Sequence, residues 1–449
     1  MGRIPKWSIF AGILIVLIEI AFIAWRLNIT GIAHAQVVRF HSLFHLELAM
    51  SIGSFYIFSR FSSALTSLND GRLRNLQRRW AQICLTDVMR AVLLLFLVLA
   101  QGSFAFYMIR LKSEVSTQAF ICLVCLAGFI HLFVFTLLSD LLVSILYVPL
   151  KLGGQLPETS WCSFLADHRL KQIIFVTVIT VFFMSIGLFR TLTPPTVVEE
   201  SLRTNKLKSG SDFSIALLSD LHIGPSVGRS RVQTIVDTVN GAEPDLIAIS
   251  GDLADGFVTD LADAARPLCN LKSKYGVYFA TGNHEYYHGN VEEWFAFLES
   301  CNITILHNKN QRVQLASGGS LCVAGIDDLI TLRLHLQGHG MNPRQALAGC
   351  QKSDFVLLLA HQPNAAKYVL TDPAVNGNVD LVLSGHTHNG QFIFFKPVVH
   401  LANAWVHGLY WNAPTNTHIL VSAGVDYFGP PVRTSGHCEV VKLTVSGRA

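Results

Sequence analysis

The chain has 449 residues and a formal net charge of +4, with 51% apolar and only 14% charged residues. Its mean hydropathy is +0.42, whereas soluble globular proteins carry about 25% charged residues. The length leaves room for two or three domains. This composition excludes an ordinary soluble protein and indicates that part of the chain lies in a membrane.

The charge divides unevenly along the chain. Residues 1–190 hold 16 basic and 8 acidic residues, a net of +8, and residues 191–449 hold 18 and 22, a net of −4. Basic residues around membrane segments are typical of orientation signals and of contact with anionic lipid. No basic face interleaved with aromatic residues occurs, so nucleic acid binding is not expected.

Five apolar segments predict an all-α membrane domain over residues 1–190, since a span needs about 20 apolar residues. They lie near 8–25, 43–58, 91–109, 118–138 and 172–189. Trp25 ends the first segment, and Arg26 and Leu27 follow it in place of a small-residue cleavage site, which favours a retained anchor over a signal peptide. The stretch 118–150 contains Asp140 and is predicted to be one span followed by an interfacial helix, with two crossings as the alternative.

The flanking basic residues predict the orientation. With five spans, 11 Lys and Arg residues lie on the side of the N-terminus and 8 on the other, largely because of the cluster at 72–79. The positive-inside rule therefore places the C-terminal half in an extracytoplasmic or lumenal compartment. The sequons at Asn28 and Asn302 fall on that same side. Two crossings within 118–150 would invert the assignment.

Residues 191–212 are predicted to be a solvated linker, because they contain Pro194, Pro195 and several charges. Beyond them, residues 213–449 alternate short apolar runs with helical intervals such as 228–240 and 291–300. This pattern predicts an α/β domain with stacked mixed sheets, in which ligands bind at the carboxyl ends of the strands. The predicted strands are 213–218, 246–249, 277–280, 303–306, 321–324, 355–359, 381–383, 392–395, 418–421 and 440–445.

Nine cysteines are split between the two halves, four before residue 190 and five after it. The odd number in the second half leaves at least one thiol unpaired if that half is monomeric. Cys122 and Cys125 have the CxxC spacing, but they lie in an apolar helix and are predicted to be packing residues. The disulfide pairing is left open.

Polar clusters follow five of the predicted strands. In Asp220-Leu221-His222 and in His386-Thr387-His388, residues two apart project to one side of extended backbone. A single histidine or Gly-Asp turn is usually structural, but here carboxylate, imidazole and carboxamide groups follow strand after strand. Such ligands suit Mn, Fe or Zn, and seven of them exceed one tetrahedral site, which predicts two metal ions. The clusters are Asp220 to His222, Gly251 to Asp255, Gly282 to Glu285, His361 and Gly385 to His388.

This series, over about 170 residues, resembles the signature of the calcineurin-like metallophosphoesterases. Pro244-Asp245-Leu246, His388-Asn389-Gly390-Gln391 and Pro431-x-Arg433 are similar to the membrane-associated branch related to bacterial YkuE. The resemblance implies a four-layer sandwich of two mixed β-sheets flanked by helices, the metallophosphoesterase fold. It also implies two divalent cations as cofactors.

The resemblance implies a role for each site residue. Asp252 would bridge the metals, and His284, oriented by Asp255, would be a catalytic histidine beside the scissile oxygen. Glu285 is expected to be structural. One metal would be held by Asp220, His222 and His388, and the other by Asn283, His361 and His386.

Two positions outside the ligand set, Asn389 and Arg433, depart from or extend the motifs. Asn389 replaces a usual Gly, and the same left-handed turn is expected because Asn tolerates that backbone. Arg433 is left open between a phosphate contact and a structural role. The remaining histidines are predicted to be surface or packing residues: His288, His307, His335, His339, His400, His407, His418 and His437.

The implied activity is that of a membrane-anchored, dinuclear-metal phosphohydrolase. It would cleave a phosphodiester or pyrophosphate bond, in a lipid-linked substrate, with a hydroxide that bridges the metals. A phosphomonoesterase or phosphoprotein phosphatase is the alternative. A non-catalytic scaffold or transporter is disfavoured because all seven ligands are present. The expected partners are the phosphate ester substrate and the membrane.

Overall fold

The computed structural model describes residues 6–29, 31–69, 76–107, 113–147, 152, 169–287, 291–334 and 336–448. Several predictions fall outside these residues. They concern the side chains of the basic cluster at 72–79, Thr30 of the first sequon, His288, His335 and the end of the 118–150 stretch.

A helix occupies the place of each predicted span. The helices are Lys6–Leu27, Gly31–Asn69, Leu76–Gly102, Thr117–Leu142 and Arg169–Leu192, with short helical turns at Ser103–Tyr107 and Val143–Tyr147. Within the described residues, three stretches are long and apolar enough to cross a bilayer: Leu85–Tyr107, Thr117–Ile145 and Arg169–Leu192. The count of five spans stays a prediction.

The three apolar stretches expose much of their apolar surface. Leu95, Val98, Val178 and Phe182 point outward from the bundle, and water would penalise a continuous apolar surface of this kind. Inside the bundle, Asp140 accepts hydrogen bonds from Tyr56 and Gln172, both at 2.6 Å, and it also pairs with Arg60. Asp140 is therefore satisfied by neighbouring helices, as polar groups at membrane depth must be.

The C-terminal part contains two six-stranded mixed sheets. The first has the order β1-β12-β2-β3-β4-β5 and the second has the order β10-β11-β9-β8-β7-β6. Most neighbours are parallel, while β12 with β2, β6 with β7 and β10 with β11 are antiparallel. The strands are β1 Thr196–Thr204, β2 Asp212–Leu218, β3 Leu246–Ser250, β4 Val277–Ala280, β5 Ile303–Ile305, β6 Lys309–Gln314, β7 Ser320–Gly325, β8 Phe355–Leu359, β9 Leu381–Ser384, β10 Gly408–Asn412, β11 Thr417–Val421 and β12 Glu439–Gly447.

The sheets pack face to face, with helices on their outer faces. Leu217, Leu357, Leu383 and Leu443 lie in the core between the sheets, and two further apolar clusters lie beneath the helices. These four layers confirm the predicted α/β sandwich. The helices are Arg229–Gly241, Val258–Ala265, Asn283–Tyr287, Val291–Ser300, Thr331–Leu334, Pro343–Ala346, Pro363–Thr371 and Lys396–Ala402, and the 3-10 turns are Arg266–Asn270, His388–Gly390 and Ile393–Phe395.

The structure differs from the prediction in four segments, two of which are the strands β6 and β10 that were not predicted. The predicted linker contains β1, whose β-branched start pairs in parallel with β12 from Thr196 opposite Glu439. The predicted strand at 392–395 is wrong, because this segment forms a 3-10 turn that leads into the helix Lys396–Ala402. Pro397 lies in the first turn of that helix, where proline's fixed φ suits a helix start.

Two disulfides cross-link the C-terminal part, Cys269–Cys301 and Cys322–Cys350. Among the described residues, the fifth cysteine of this part, Cys438, is a buried free thiol, which confirms the predicted leftover. Cys122 and Cys125 are also free thiols within the helix Thr117–Leu142.

Candidate active site

The predicted site residues follow the carboxyl ends of five strands that face one another across the two sheets. Asp220 follows β2, Asp252 follows β3, Asn283 follows β4, and His361 and His386 follow β8 and β9. The loops are tied together by backbone hydrogen bonds, from the Asp220 amide to Gly251 at 3.1 Å and from the Gly385 amide to His361 at 2.9 Å. The structure therefore brings all seven predicted ligands to one place.

The backbone of this site is strained. Left-handed φ angles are unfavourable for residues other than glycine, and they cluster where function requires an exact geometry. The predicted turn at Asn389 is confirmed, with φ of 49°. Five of the predicted ligands have positive φ: Asp220 at 58°, His222 at 48°, Asp252 at 52°, His386 at 71° and His388 at 47°.

One group of three side chains consists of Asp220, His222 and His388. Their donor atoms all lie within 4.8 Å of one another. The Nε2 atoms of the two histidines are 3.1 Å apart, and Nε2 of His388 is 3.4 Å from Oδ1 of Asp220. Two imidazole nitrogens and a carboxylate oxygen thus converge on one point, as the ligands of a cation do.

A second group consists of Asp252, His361 and His386, again with donor atoms within 4.8 Å. Oδ2 of Asp252 lies 3.1 Å from Nε2 of His361 and 3.8 Å from Nε2 of His222. The Asp252 carboxylate therefore lies between the two groups, which is the position that a bridging ligand requires.

Unpartnered atoms test whether these residues fit metal ions. Among the described residues, Oδ1 of Asn283 and Nδ1 of His388 are buried without a hydrogen-bond partner. Buried polar atoms are nearly always partnered in proteins. Nitrogen and oxygen donors of this kind match divalent transition metals, so the residues present fit the pair of cations that the resemblance implies.

Neighbouring groups orient the histidine rings. Oδ1 of Asp255 lies 3.1 Å from Nδ1 of His222 and 2.6 Å from Nδ1 of His284. Nδ1 of His361 lies 2.7 Å from the carbonyl oxygen of Ser250. Such contacts select the tautomer in which Nε2 faces the site, and they are characteristic of metal centres.

His284 lies at the opening of the site, where its side chain is 13% exposed. Its backbone amide donates to Oδ1 of Asp252 at 2.9 Å. Burial lowers the pKa of His284, but the carboxylates of Asp252 and Asp255 outweigh it and raise the pKa to about 9. Bound cations would oppose that shift.

Glu285 connects two of the motif loops. Its carboxylate accepts hydrogen bonds from the backbone amides of Gly282 at 2.6 Å, Leu253 at 2.7 Å and Asp252 at 3.0 Å. This geometry agrees with the predicted structural role. Glycine at 282 is required because a Cβ there would lie 2.2 Å from Oδ1 of Asp252.

The structure decides the role of Arg433. Its side chain is fully buried. Its guanidinium donates to the carbonyl oxygens of Asp426 and His388, both at 2.6 Å, and to that of Ala423. A phosphate contact is therefore wrong, and Arg433 instead supports the backbone of the His388 turn.

Two aromatic residues at the opening were not predicted as site residues from the sequence. Phe428 lies 5.1 Å from the ring of His222 and 4.9 Å from that of His284, and Tyr287 lies 5.2 Å from His284. Both are among the exposed large side chains. Neither residue belongs to a periodic pattern that could have identified it as part of the site.

Among the described residues, the histidines predicted to be surface or packing residues lie outside the two groups. His307 pairs with Asp327, His339 lies 2.7 Å from Glu292, and His407 lies 3.1 Å from Glu439. His400 and His437 are exposed, and His418 is half-buried. His307, Asp327 and His339 also have donor atoms within 4.8 Å of one another, but their close ion pairing satisfies them without a cation.

Comparisons with known proteins agree with this geometry. The family model for calcineurin-like phosphoesterases matches residues 213–390. A Caenorhabditis elegans protein named as a metallophosphoesterase is 43% identical over 97% of this chain and 95% of its own length. The Danio rerio transmembrane protein with metallophosphoesterase domain is 34% identical over 92% of this chain and 90% of its own length. Bacillus subtilis YkuE, an uncharacterized metallophosphoesterase, is 28% identical over 55% of this chain and 84% of its own length.

The relatives that cover nearly the whole chain include transmembrane proteins, and the matched region contains every strand end that carries a predicted ligand. The chain therefore belongs to the calcineurin-like metallophosphoesterases and is a metal-dependent phosphoesterase of a transmembrane family.

Proposed function

We propose that the two groups of side chains hold two divalent cations, Mn, Fe or Zn, with Asp252 shared between them. The position of Asp252 between His361 and His222 carries this proposal. Two adjacent cations activate a water molecule and neutralise the phosphoryl oxygens. The other ligands would be Asp220, His222 and His388 on one cation and Asn283, His361 and His386 on the other.

His284 is the proposed catalytic acid. Its Nδ1 is held by Asp255 at 2.6 Å, which fixes the ring beside Asp252 and in contact with the opening. From that position the ring can donate a proton to the leaving oxygen, and a positioned acid of this kind contributes about 10²- to 10⁴-fold to a rate.

A phosphodiester or pyrophosphate bond is the proposed target. Phe428 and Tyr287 border His284 at the opening, and both rings expose apolar surface. Apolar walls suit a substrate whose phosphate carries a second substituent. A monoester would instead present a doubly charged terminal phosphate to these rings.

Two chromogenic substrates test this choice. The purified full chain with Mn is expected to hydrolyse bis-p-nitrophenyl phosphate with a kcat/KM at least about tenfold above that for p-nitrophenyl phosphate, a difference of about 1.4 kcal/mol in the barrier. EDTA should abolish the activity and added Mn should restore it. Activity confined to the monoester would establish the phosphomonoesterase alternative. An inactive chain that binds no metal would favour the scaffold.

We further propose a multi-pass protein whose catalytic domain lies in an extracytoplasmic or lumenal compartment. The two disulfides support this side, because disulfides persist in oxidising compartments. The bias of basic residues toward the opposite side supports it independently.

The sequon at Asn302 provides a test of this orientation. Asn302 is exposed at the turn before β5, with Thr304 two residues later. In a eukaryotic host the chain is expected to carry a glycan at Asn302, and peptide N-glycosidase should increase its electrophoretic mobility. Asn302→Gln and Thr304→Ala should each abolish the shift. Unmodified Asn302 together with reduced Cys269 and Cys301 in cells would place the domain on the cytoplasmic side.

A further inference from the structure

An apolar segment follows the His388 turn directly. It comprises Ile393–Ala402, and its side chains Ile393, Phe395, Val398 and Leu401 are exposed, Leu401 by 89%. Soluble surfaces rarely present such a patch, and where they do it marks contact with a membrane or another molecule.

The opposite side of this segment packs on a candidate membrane span. The rings of Phe392 and Phe394 lie 4.8 and 5.0 Å from the ring of His131, and Phe394 also lies 5.9 Å from Phe135. Phe392 forms a buried cluster with Ala127. The apolar segment is thus continuous with the surface of the helix Thr117–Leu142.

The contact lies part of the way along that helix. Glu114 lies just before the helix and accepts hydrogen bonds from the amide and hydroxyl of Ser230 at 3.1 and 2.7 Å. This contact places the start of the helix against the catalytic domain. His131 is fourteen residues beyond Thr117, or about 21 Å at 1.5 Å per residue. Phe392 also packs with Val432, Met184 and Leu188, and Leu188 is four residues from the end of its own span, so the apolar segment lies beside the half of the bilayer that is next to the domain.

A second span is bonded to the loop that supports the metal centre. The Arg433 amide donates to the carbonyl oxygen of Gly187 at 3.1 Å, and the Thr191 hydroxyl donates to that of Pro431 at 2.7 Å. Tyr107 ends a third candidate span and packs against Gly429, the neighbour of Phe428. A Cβ added at Gly429 would lie 3.4 Å from the Tyr107 hydroxyl. The opening of the active site is therefore at the membrane boundary.

We propose that the apolar segment inserts into the bilayer and that the substrate is a phospholipid whose chains remain there. This inference rests on the proposed phosphodiester hydrolysis. Water would add its oxygen to phosphorus, the P–O bond to the leaving alcohol would break, and that alcohol would take the proton. The exposed Lys396 begins the inserted helix beside Gly390 of the metal-site turn, where an ammonium group attracts anionic headgroups.

Photolabelling tests the insertion without any substitution. The full chain is reconstituted in phosphatidylcholine vesicles that contain a lipid with a diazirine at the middle of its acyl chain. After irradiation, peptides from 393–402 are expected to carry lipid adducts, as do peptides from the spans. Peptides containing Trp411, which is 62% exposed on β10, should carry none. Labelled spans with an unlabelled 393–402 would overturn the insertion.

Substitutions test the substrate class. The double variant Val398→Glu with Leu401→Glu is expected to retain hydrolysis of bis-p-nitrophenyl phosphate within about twofold. It should lose about tenfold in cleavage of phosphatidylglycerol in vesicles, because charges resist entry into hydrocarbon. Trp411→Glu is the matched control and should change neither rate.

The outcomes separate the two proposals. A wild-type chain that cleaves the soluble diester but no vesicle lipid would overturn the lipid substrate alone. A wild-type chain that cleaves neither diester would overturn the proposed function, while the photolabelling result would still decide the insertion. Equal losses on both substrates in the double variant would indicate a folding defect, and labelling of the wild-type segment would then decide.

Discussion

Replacing Asp252 with Asn is expected to lower hydrolysis of bis-p-nitrophenyl phosphate by roughly 10³-fold, the scale seen when one preorganised electrostatic group is removed from an active site. Oδ2 of Asp252 lies between Nε2 of His361 and Nε2 of His222, at 3.1 and 3.8 Å. Asn keeps the shape of the side chain and the acceptor for the His284 amide. It loses the charge with which one carboxylate can hold two cations.

Metal analysis of Asp252→Asn should accompany the rate measurement. The bound metal per chain, measured by mass spectrometry, is expected to fall by at least one ion while the thermal midpoint stays within a few degrees of wild type. Asp237→Asn, on the exposed side of the helix Arg229–Gly241, is the matched control and should change neither quantity. Wild-type rate and metal content in Asp252→Asn would exclude a bridging role.

The position of the site could be predicted because of where its strands end. β3, β4, β8 and β9 are short, continuously buried runs, so each must end where a Gly or polar residue interrupts the apolar sequence. Parallel neighbours in a sheet bring such ends to one edge. The grouping of Asp220 with His388, 168 positions apart, follows from that topology and from no local pattern.

Contacts between the two parts of the chain could not be predicted in this way. The run at 392–395 is apolar and short, and such a run has no periodicity that distinguishes a strand from a helix. Its rings pack against His131, which is distant in the sequence. The edge strand β6, Lys309–Gln314, was missed because its residues are polar and mostly exposed. Its antiparallel pairing with β7 stabilises a strand that its own residues do not favour.

The role of Arg433 also could not be predicted, because the sequence left it open and only tertiary contacts decide it. Its guanidinium donates to backbone carbonyls of Asp426, His388 and Ala423. Arg433→Met would leave these buried acceptors unsatisfied at about 1–3 kcal/mol each. We expect a loss of roughly 4 kcal/mol in the free energy of unfolding and a thermal midpoint roughly 10 °C lower, measured by scanning fluorimetry of the full chain in detergent.

The control for Arg433→Met is Arg266→Met, whose side chain is 59% exposed and lies 4.0 Å from Asp263; its expected change is within about 0.5 kcal/mol. Activity should fall together with stability at Arg433, because the carbonyl that it holds belongs to His388 and any displacement of that turn moves a proposed ligand. Arg433→Lys keeps the charge but lacks the planar guanidinium that donates to three carbonyls. Its thermal midpoint should therefore lie between those of the wild type and Arg433→Met. A wild-type midpoint in Arg433→Met would contradict the structural role of the guanidinium.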